Sequence, residues 1–332
     1  MTDLTQFETL EPREEERTAH IIEVMRRMQL KRYPPGATLR DAHTRETAVL
    51  EAVFTVEPDL PEPLRVGLFA KPGRYDAWVR FSSSSDKAKS QAVKDLRGAA
   101  IKLRNVPGER IPESDEATTQ DFVLMSTPTM PLGTVKLFHD AIYLITDWSQ
   151  ILFVAKMLLT GHLHTLLALF AANIDPTSPA DIRYWSTTPY LFGPDRVVKY
   201  SLVPTSDYRS AKPEPLTATY LSDNLQDHLG QADATFDFMV QLRTDPATMP
   251  VEDAAVRWDE DDAPFAKVAT LTIPRQNFRT AERDELSEAL AFSPGHALVE
   301  HRPIGSVNRA RLRVYREQSA FRQQRDSRRR VT

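Results

Sequence analysis

Seven short strand-like runs are divided, four and three, by one long helical stretch, and that division limits the folds open to this chain of 332 residues. The runs are Ala48–Val56, Asp76–Ser82, Ala99–Leu103 and Asp121–Ser126, then Arg196–Val203, Thr235–Leu242 and Ala266–Ile273. Several alternate β-branched and aromatic residues with polar ones and are bounded by Pro, Gly, Asp or Asn. The stretch between them runs from roughly Thr134 to Asn173. Repeating βαβ units would interleave helices and strands one by one. Strands grouped on either side of an insert predict an α+β chain whose antiparallel sheet closes into a barrel. The 24 prolines, many at strand boundaries, suit loops wrapped around such a barrel.

Helical rhythm elsewhere is limited to Thr18–Leu30, barred from continuing by Pro34-Pro35-Gly36, and to Glu282–Ala291 and Asn308–Arg325. The expected division is an N-terminal helical arm over 1–37, a barrel domain over 38–320 and a basic, flexible tail over 321–332. Hydrophobic content of 41% and charged content of 27% permit a sizeable core. A net charge of −4 argues against general nucleic-acid binding, and the Arg-dense segment Arg309–Arg330 reads better as a partly solvated helix. The chain has no cysteine, which removes disulfides, thiolate ligation, Cys-based zinc sites and cysteine nucleophiles. Met1–Glu16 is acidic and lacks an apolar core, so no secretory signal is visible and a cytoplasmic location is expected.

Ile151–Asn173 is long enough to span a bilayer, which takes ~20 apolar residues. Lys156, Gly161, His162 and His164 make that costly. The segment reads as a buried or amphipathic helix pair, with contact at a membrane interface as the alternative.

Two short patterns stand far apart: Arg40-Asp41-Ala42-His43-Thr44-Arg45 near the start and Arg311-Leu312-Arg313-Val314-Tyr315 near the end. Taken singly, each also reads as an exposed or structural His and as a packed Tyr on an Arg-rich helix. Between them come Val79-Arg80-Phe81-Ser82, then Asp95-Leu96-Arg97-Gly98-Ala99-Ala100-Ile101-Lys102, then Asp121-Phe122-Val123-Leu124-Met125-Ser126-Thr127-Pro128, and then Phe138. In order and rough spacing these patterns resemble the haem-dependent catalase family from about Thr38 to Tyr315, loosely over Asp175–Ala291. Tyr184-Trp185-Ser186 to Pro204, and Pro294 to Tyr315, look most like the small catalase-related peroxidases, the minicatalases. Full-length catalases are longer.

The resemblance implies a catalase-like closed antiparallel β-barrel of about eight strands with a helical insert and C-terminal helices. It implies one haem b per chain and assigns roles residue by residue. Tyr315 would ligate iron as phenolate, with Arg311 one turn earlier favouring the ionised form. His43 would move a proton between the two peroxide oxygens, and Ser82 would orient it. Arg40 and Arg80 would hold the propionates, and Phe138 would lie against the haem. The implied activity is reduction of hydrogen peroxide or organic hydroperoxides by a small-molecule electron donor, with weak catalase activity. A homo-oligomer is expected.

The sequence departs from the family pattern at three positions. Met125 stands in place of the distal Asn, Ala42 in place of the usual Val before the distal His, and Ala99 in place of the Phe after Arg-Gly. These changes predict a less polar, roomier distal side, suited to organic hydroperoxides. Two rival activities are rearrangement or lysis of fatty-acid hydroperoxides, and non-enzymatic haem binding on a catalase scaffold. Ala42 gives the allene oxide synthase reading no support, because those enzymes place Thr there.

Overall fold

The computed structural model describes residues 3–34, 45–84 and 90–326. All seven expected strands are present: β1 Arg45–Val56, β2 Arg74–Ser83, β3 Arg97–Leu103, β4 Gln120–Met125, β7 Val197–Pro204, β8 Ala234–Leu242 and β9 Phe265–Ile273. Two further strands are only two residues long, β5 Tyr184–Trp185 and β6 Tyr190–Leu191. They are too short for any periodicity to reveal, yet β5 is what shuts the barrel. It pairs with β4 through Met125–Trp185 and with β7 through Tyr184–Leu202 and Trp185–Ser201. The ring therefore runs β1-β2-β3-β4-β5-β7-β8-β9 and back to β1, eight strands, all antiparallel, with β6 hung on β7.

An eight-stranded barrel is just wide enough for its own side chains to fill it. Here it does. Phe122, Phe238, Tyr200 and Phe54 meet inside, with the Phe122 and Phe238 ring centroids 4.6 Å apart and Phe122 set edge-on to Tyr200 at 5.1 Å. A ligand site must therefore lie outside the barrel. Strand burial shows where. β1 alternates buried Leu50, Ala52 and Phe54 with the exposed Glu51 and Thr55. β3, in contrast, is buried at every position, and the second half of β2 is buried on both faces. Something covers the outer surface of β2–β4.

That cover is helical. α1 (Glu14–Arg32) packs against α2 (Val135–Tyr143) and α7 (Ser306–Asp326) through Ile21, Val135 and Ala310. Arg309 ties these ends together, reaching Glu14 at 2.7 Å, Glu8 at 2.8 Å and Glu252 at 2.9 Å. Where a flexible tail was expected from residue 321, α7 continues as helix to Asp326. Arg322 is buried and Arg325 donates to the Tyr33 carbonyl at 2.8 Å.

The helical insert holds three helices, of which the last two are the pair expected over Ile151–Asn173. α2 runs into a π-helical turn, Leu144–Trp148, followed by α3 (Gln150–Leu159) and α4 (Leu163–Ala171). Gly161, at φ +77°, reverses the chain between the last two. Expected as buried or amphipathic, the pair buries Phe153, Met157 and Leu166 and presents apolar side chains to solvent on its outer faces. No helix among the described residues is long and apolar enough to cross a membrane. α5 (Tyr220–Gln231) was not anticipated from the sequence, and α6 (Ala281–Ala289) was.

Candidate active site

Strand register aligns two rows of side chains on the outer barrel face. Arg80, Ala100 and Val123 lie opposite one another across β2, β3 and β4, and so do Ser82, Gly98 and Met125. Alternation sends the residues between them inward. Small residues in the middle strand leave a hollow, and α7 roofs it with Val314, Tyr315, Gln318, Ser319 and Arg322. Positions 315, 318, 319 and 322 recur every three to four residues, so they share one helix face. Met25 and Gln29 of α1 close one side, and Ala291 and Phe292 line the cavity as well. The cavity has a volume of about 150 Å³.

Arg311 lies one turn before Tyr315, as the motif spacing requires. Its guanidinium carbon is 5.3 Å from the Tyr315 ring centre, and NH2 donates to the Tyr315 hydroxyl at 3.4 Å. NH1 is held by Thr188 and Asn308, both at 3.1 Å. Burial disfavours the charge on Arg311, but the Tyr315 and Tyr190 hydroxyls outweigh it and hold its pKa above the usual value. The guanidinium is thus a fixed cation at the phenol oxygen.

Arg80 is buried, with Nε 3.2 Å from Glu46 of β1. Glu46 also accepts from Ser287 and stands opposite Ser82 in the β1–β2 register. Ser82 is buried and borders the cavity. Met125 ends the row that Ser82 begins. Phe138 packs on the Ile21–Val135–Ala310 cluster, as the lining residues Met25 and Val314 do, and is not itself among the lining residues. Arg40, Ala42 and His43 lie outside the described residues. The described chain resumes at Arg45, opposite Ser83 and one residue from the Ser82 register.

Ala99 stands in the wall between the cavity and the barrel interior. It packs with Phe81 and Leu124 in the barrel core and, with Leu124, also borders the cavity, so the bulk it lacks is missing on both sides of the wall.

Several lining groups were not anticipated from the sequence. Arg322 falls seven residues after Tyr315, a spacing that was available to read. Gln29, Gln318 and Ser319 gave no local signal. Gln29 Oε1, Gln318 Oε1 and Ser319 Oγ are buried at the cavity with no hydrogen-bond partner among the described residues. Buried polar atoms are ordinarily satisfied, so three around one cavity indicate a polar occupant or ordered water.

Two other motif residues have a structural role. Lys102 bonds Glu116 and lies 3.1 Å from Asp121 Oδ1. His296 bonds Asp121 through Nδ1 and Asp115 through Nε2, both at 2.7 Å. Burial opposes a charged imidazole, but Asp121 and Asp115 outweigh it and push the His296 pKa up to about 9. This cluster joins β3 and β4 to the segment that carries Phe292, whose ring lies 5.9 Å from Lys102 Nζ.

No family model and no curated protein sequence matches this chain. Solved structures do. A fungal catalase aligns with a TM-score of 0.67 at 19% identity, over 91% of this chain and 62% of its own. A bacterial catalase gives 0.66 at 17%, over 92% and 60%, and catalase A from Saccharomyces cerevisiae 0.64 at 18%, over 92% and 64%. This chain therefore spans about three-fifths of each of those chains. At these identities the likeness is one of fold, and the fold is catalase-like.

Proposed function

We propose that this chain is a haem-dependent peroxidase of the small, minicatalase-like kind. It reduces hydrogen peroxide or organic hydroperoxides with electrons from a small-molecule donor and releases oxygen only weakly. The observation that carries the reading is the Arg311–Tyr315 pair, set on a helix across a cavity from Arg80 and Ser82.

The lining suits a haem b. Apolar Ala100, Val123 and Val314 line the cavity, Tyr315 borders it with the Arg311 cation at its hydroxyl, and Gln29, Gln318 and Ser319 bring polar atoms without partners among the described residues. Tyr315 would hold the iron, and Arg311 would favour its phenolate by charge. Arg80 and Arg322, with Arg40, would hold the propionates through the planar guanidinium fork. When bound, the haem would supply the redox-active iron at which peroxide is cleaved. The His43 imidazole would take a proton from one peroxide oxygen and return it to the other. Ser82 would hold that imidazole in line, and the apolar Met125 end of the row would keep water from competing for the proton.

The test is an absorbance spectrum of the purified protein. A Soret band with ferric high-spin features is expected, and it should be lost or strongly weakened in Tyr315→Phe. An unchanged ferric spectrum in that variant would overturn the assignment.

One observation favours a second reading, rearrangement of fatty-acid hydroperoxides. The apolar α3–α4 hairpin rests on α2, and α2 also packs Phe138 on the cluster that holds the cavity residue Val314. Product analysis with a lipid hydroperoxide and no reductant separates the two. Conversion to rearranged products without a donor supports the second reading, and dependence on an added donor supports the first.

A further inference from the structure

Of twelve large hydrophobic side chains exposed among the described residues, nine lie between Ile145 and Phe170. α3 turns Phe153 and Met157 inward, where they join Leu166 of α4 against α2. Its outward face carries Ile151, 79% exposed, and Leu159, 87% exposed. α4 repeats the arrangement, with Leu163, Leu167 and Phe170 facing out. A helix on the surface of a soluble protein is ordinarily polar on its outward face, and these two are apolar on both. Apolar residues scattered singly need no explanation, but a contiguous patch of this kind marks a contact surface.

Charge indicates what covers it. Between Asp147 and Asp175 the sequence has no acidic residue and one formal charge, Lys156, which is tied back to Asp140 at 2.7 Å. The flank of the patch is basic. Arg27 of α1 pairs with Asp147, and the exposed Lys31 follows one turn later, next to the exposed Arg32. Trp148, 64% exposed, sits where the basic flank meets the hairpin, and an indole suits the boundary between headgroups and acyl chains. Packing two copies of this chain face to face would bring like-charged rims together, whereas an anionic bilayer complements them. Length adds a further constraint. Helices of ten and nine residues are each about 15 Å long, half the ~30 Å hydrocarbon thickness, so the hairpin can lie in the interface but not span it.

We propose that the α3–α4 hairpin with Trp148 docks this protein on anionic lipid bilayers. Ile151, Leu159 and Phe170 enter the headgroup–acyl boundary, and the C-terminal turn of α1 lies on the headgroups. The proposal does not depend on haem or on peroxide chemistry.

Flotation of the full chain with vesicles tests it. Vesicles of phosphatidylcholine mixed with phosphatidylglycerol are compared with phosphatidylcholine alone, and sedimentation velocity is run in parallel without lipid. The wild type should float with the mixed vesicles and several-fold less with the neutral ones. Ile151→Ser, Leu159→Ser and Phe170→Ser alter only exposed side chains, and each should lower partition about tenfold while the circular dichroism spectrum is unchanged. Lys31→Glu with Arg32→Glu should remove the preference for anionic lipid. Absence of flotation with either vesicle would overturn the proposal. So would a lipid-free dimer that Leu159→Ser dissociates, which would make the patch an interface between copies of this chain.

Discussion

Tyr315 and Arg311 could be paired from the sequence because both sit on one helix, where a spacing of four places side chains on one face. Arg80 and Ser82 were legible for the same reason at a spacing of two. Met25 and Gln29 were not, since they reach the cavity from α1, almost the whole chain away, and only tertiary packing puts them there. Arg322 was overlooked because its neighbourhood, rich in Arg and Gln, reads as solvated tail. Ala99 was legible as a motif residue; it borders the cavity and also packs with Phe81 and Leu124 in the barrel core, a double placement that only the fold shows. Met125 ends the Ser82 row, and under the proposed function it would set distal polarity. Met125→Asn should raise oxygen release from hydrogen peroxide and lower turnover of cumene hydroperoxide with an added donor. An unchanged ratio of the two would remove Met125 from selectivity. Proton transfer by positioned groups contributes ~10²–10⁴-fold, so His43→Ala should slow peroxide consumption by about that factor while the Soret band remains. Equal rates in the two proteins would rule out His43 as the acid–base group.

At the scale of elements, runs long enough to show a period were found and those carried by partners were not. β5 and β6, at two residues each, exist because β4 and β7 supply their hydrogen bonds. α5 did carry a signal, Leu221, Leu225 and Leu229 at intervals of four with all three buried, but it fell where strands were being sought. The His296 cluster is tertiary as well, joining β3 and β4 to a loop some 175 residues further on. Its effect on stability has a definite sign. The imidazole has an ordinary value of 6.5 and about 9 in the fold, so folding binds a proton more tightly. The stabilisation is fully present below pH 6.5 and disappears as pH rises through 9, amounting to on the order of 3 kcal/mol. Thermal melts of the wild type should lose stability between pH 7 and pH 10, and His296→Gln should flatten that slope. Parallel pH profiles for the two proteins would show that the cluster does not titrate there.

Taken as a whole, the molecule is a filled barrel with its cavity outside, walled by helices from near the two ends of the chain. Arg309 is the fastener, with Glu8, Glu14 and Glu252 around one guanidinium. Arg309→Met would leave three carboxylates crowded without their cation. Limited proteolysis within residues 3–34 should then run at least tenfold faster, while the barrel core resists as before. Equal cleavage rates would mean that apolar packing alone secures the arm. The barrel was legible from the grouping of strands, but the joining of α1 to α7 was not, because nothing local records which distant helices will meet. That joining also sets the timing of assembly. A ribosome adding ~5–20 residues per second makes α1 long before α7, so a nascent chain spends tens of seconds with the outer β2–β4 surface uncovered. The cleft has no roof until the last helix emerges, so an occupant that needs both walls can be captured only by a chain translated through α7, and its retention reports that synthesis reached that point.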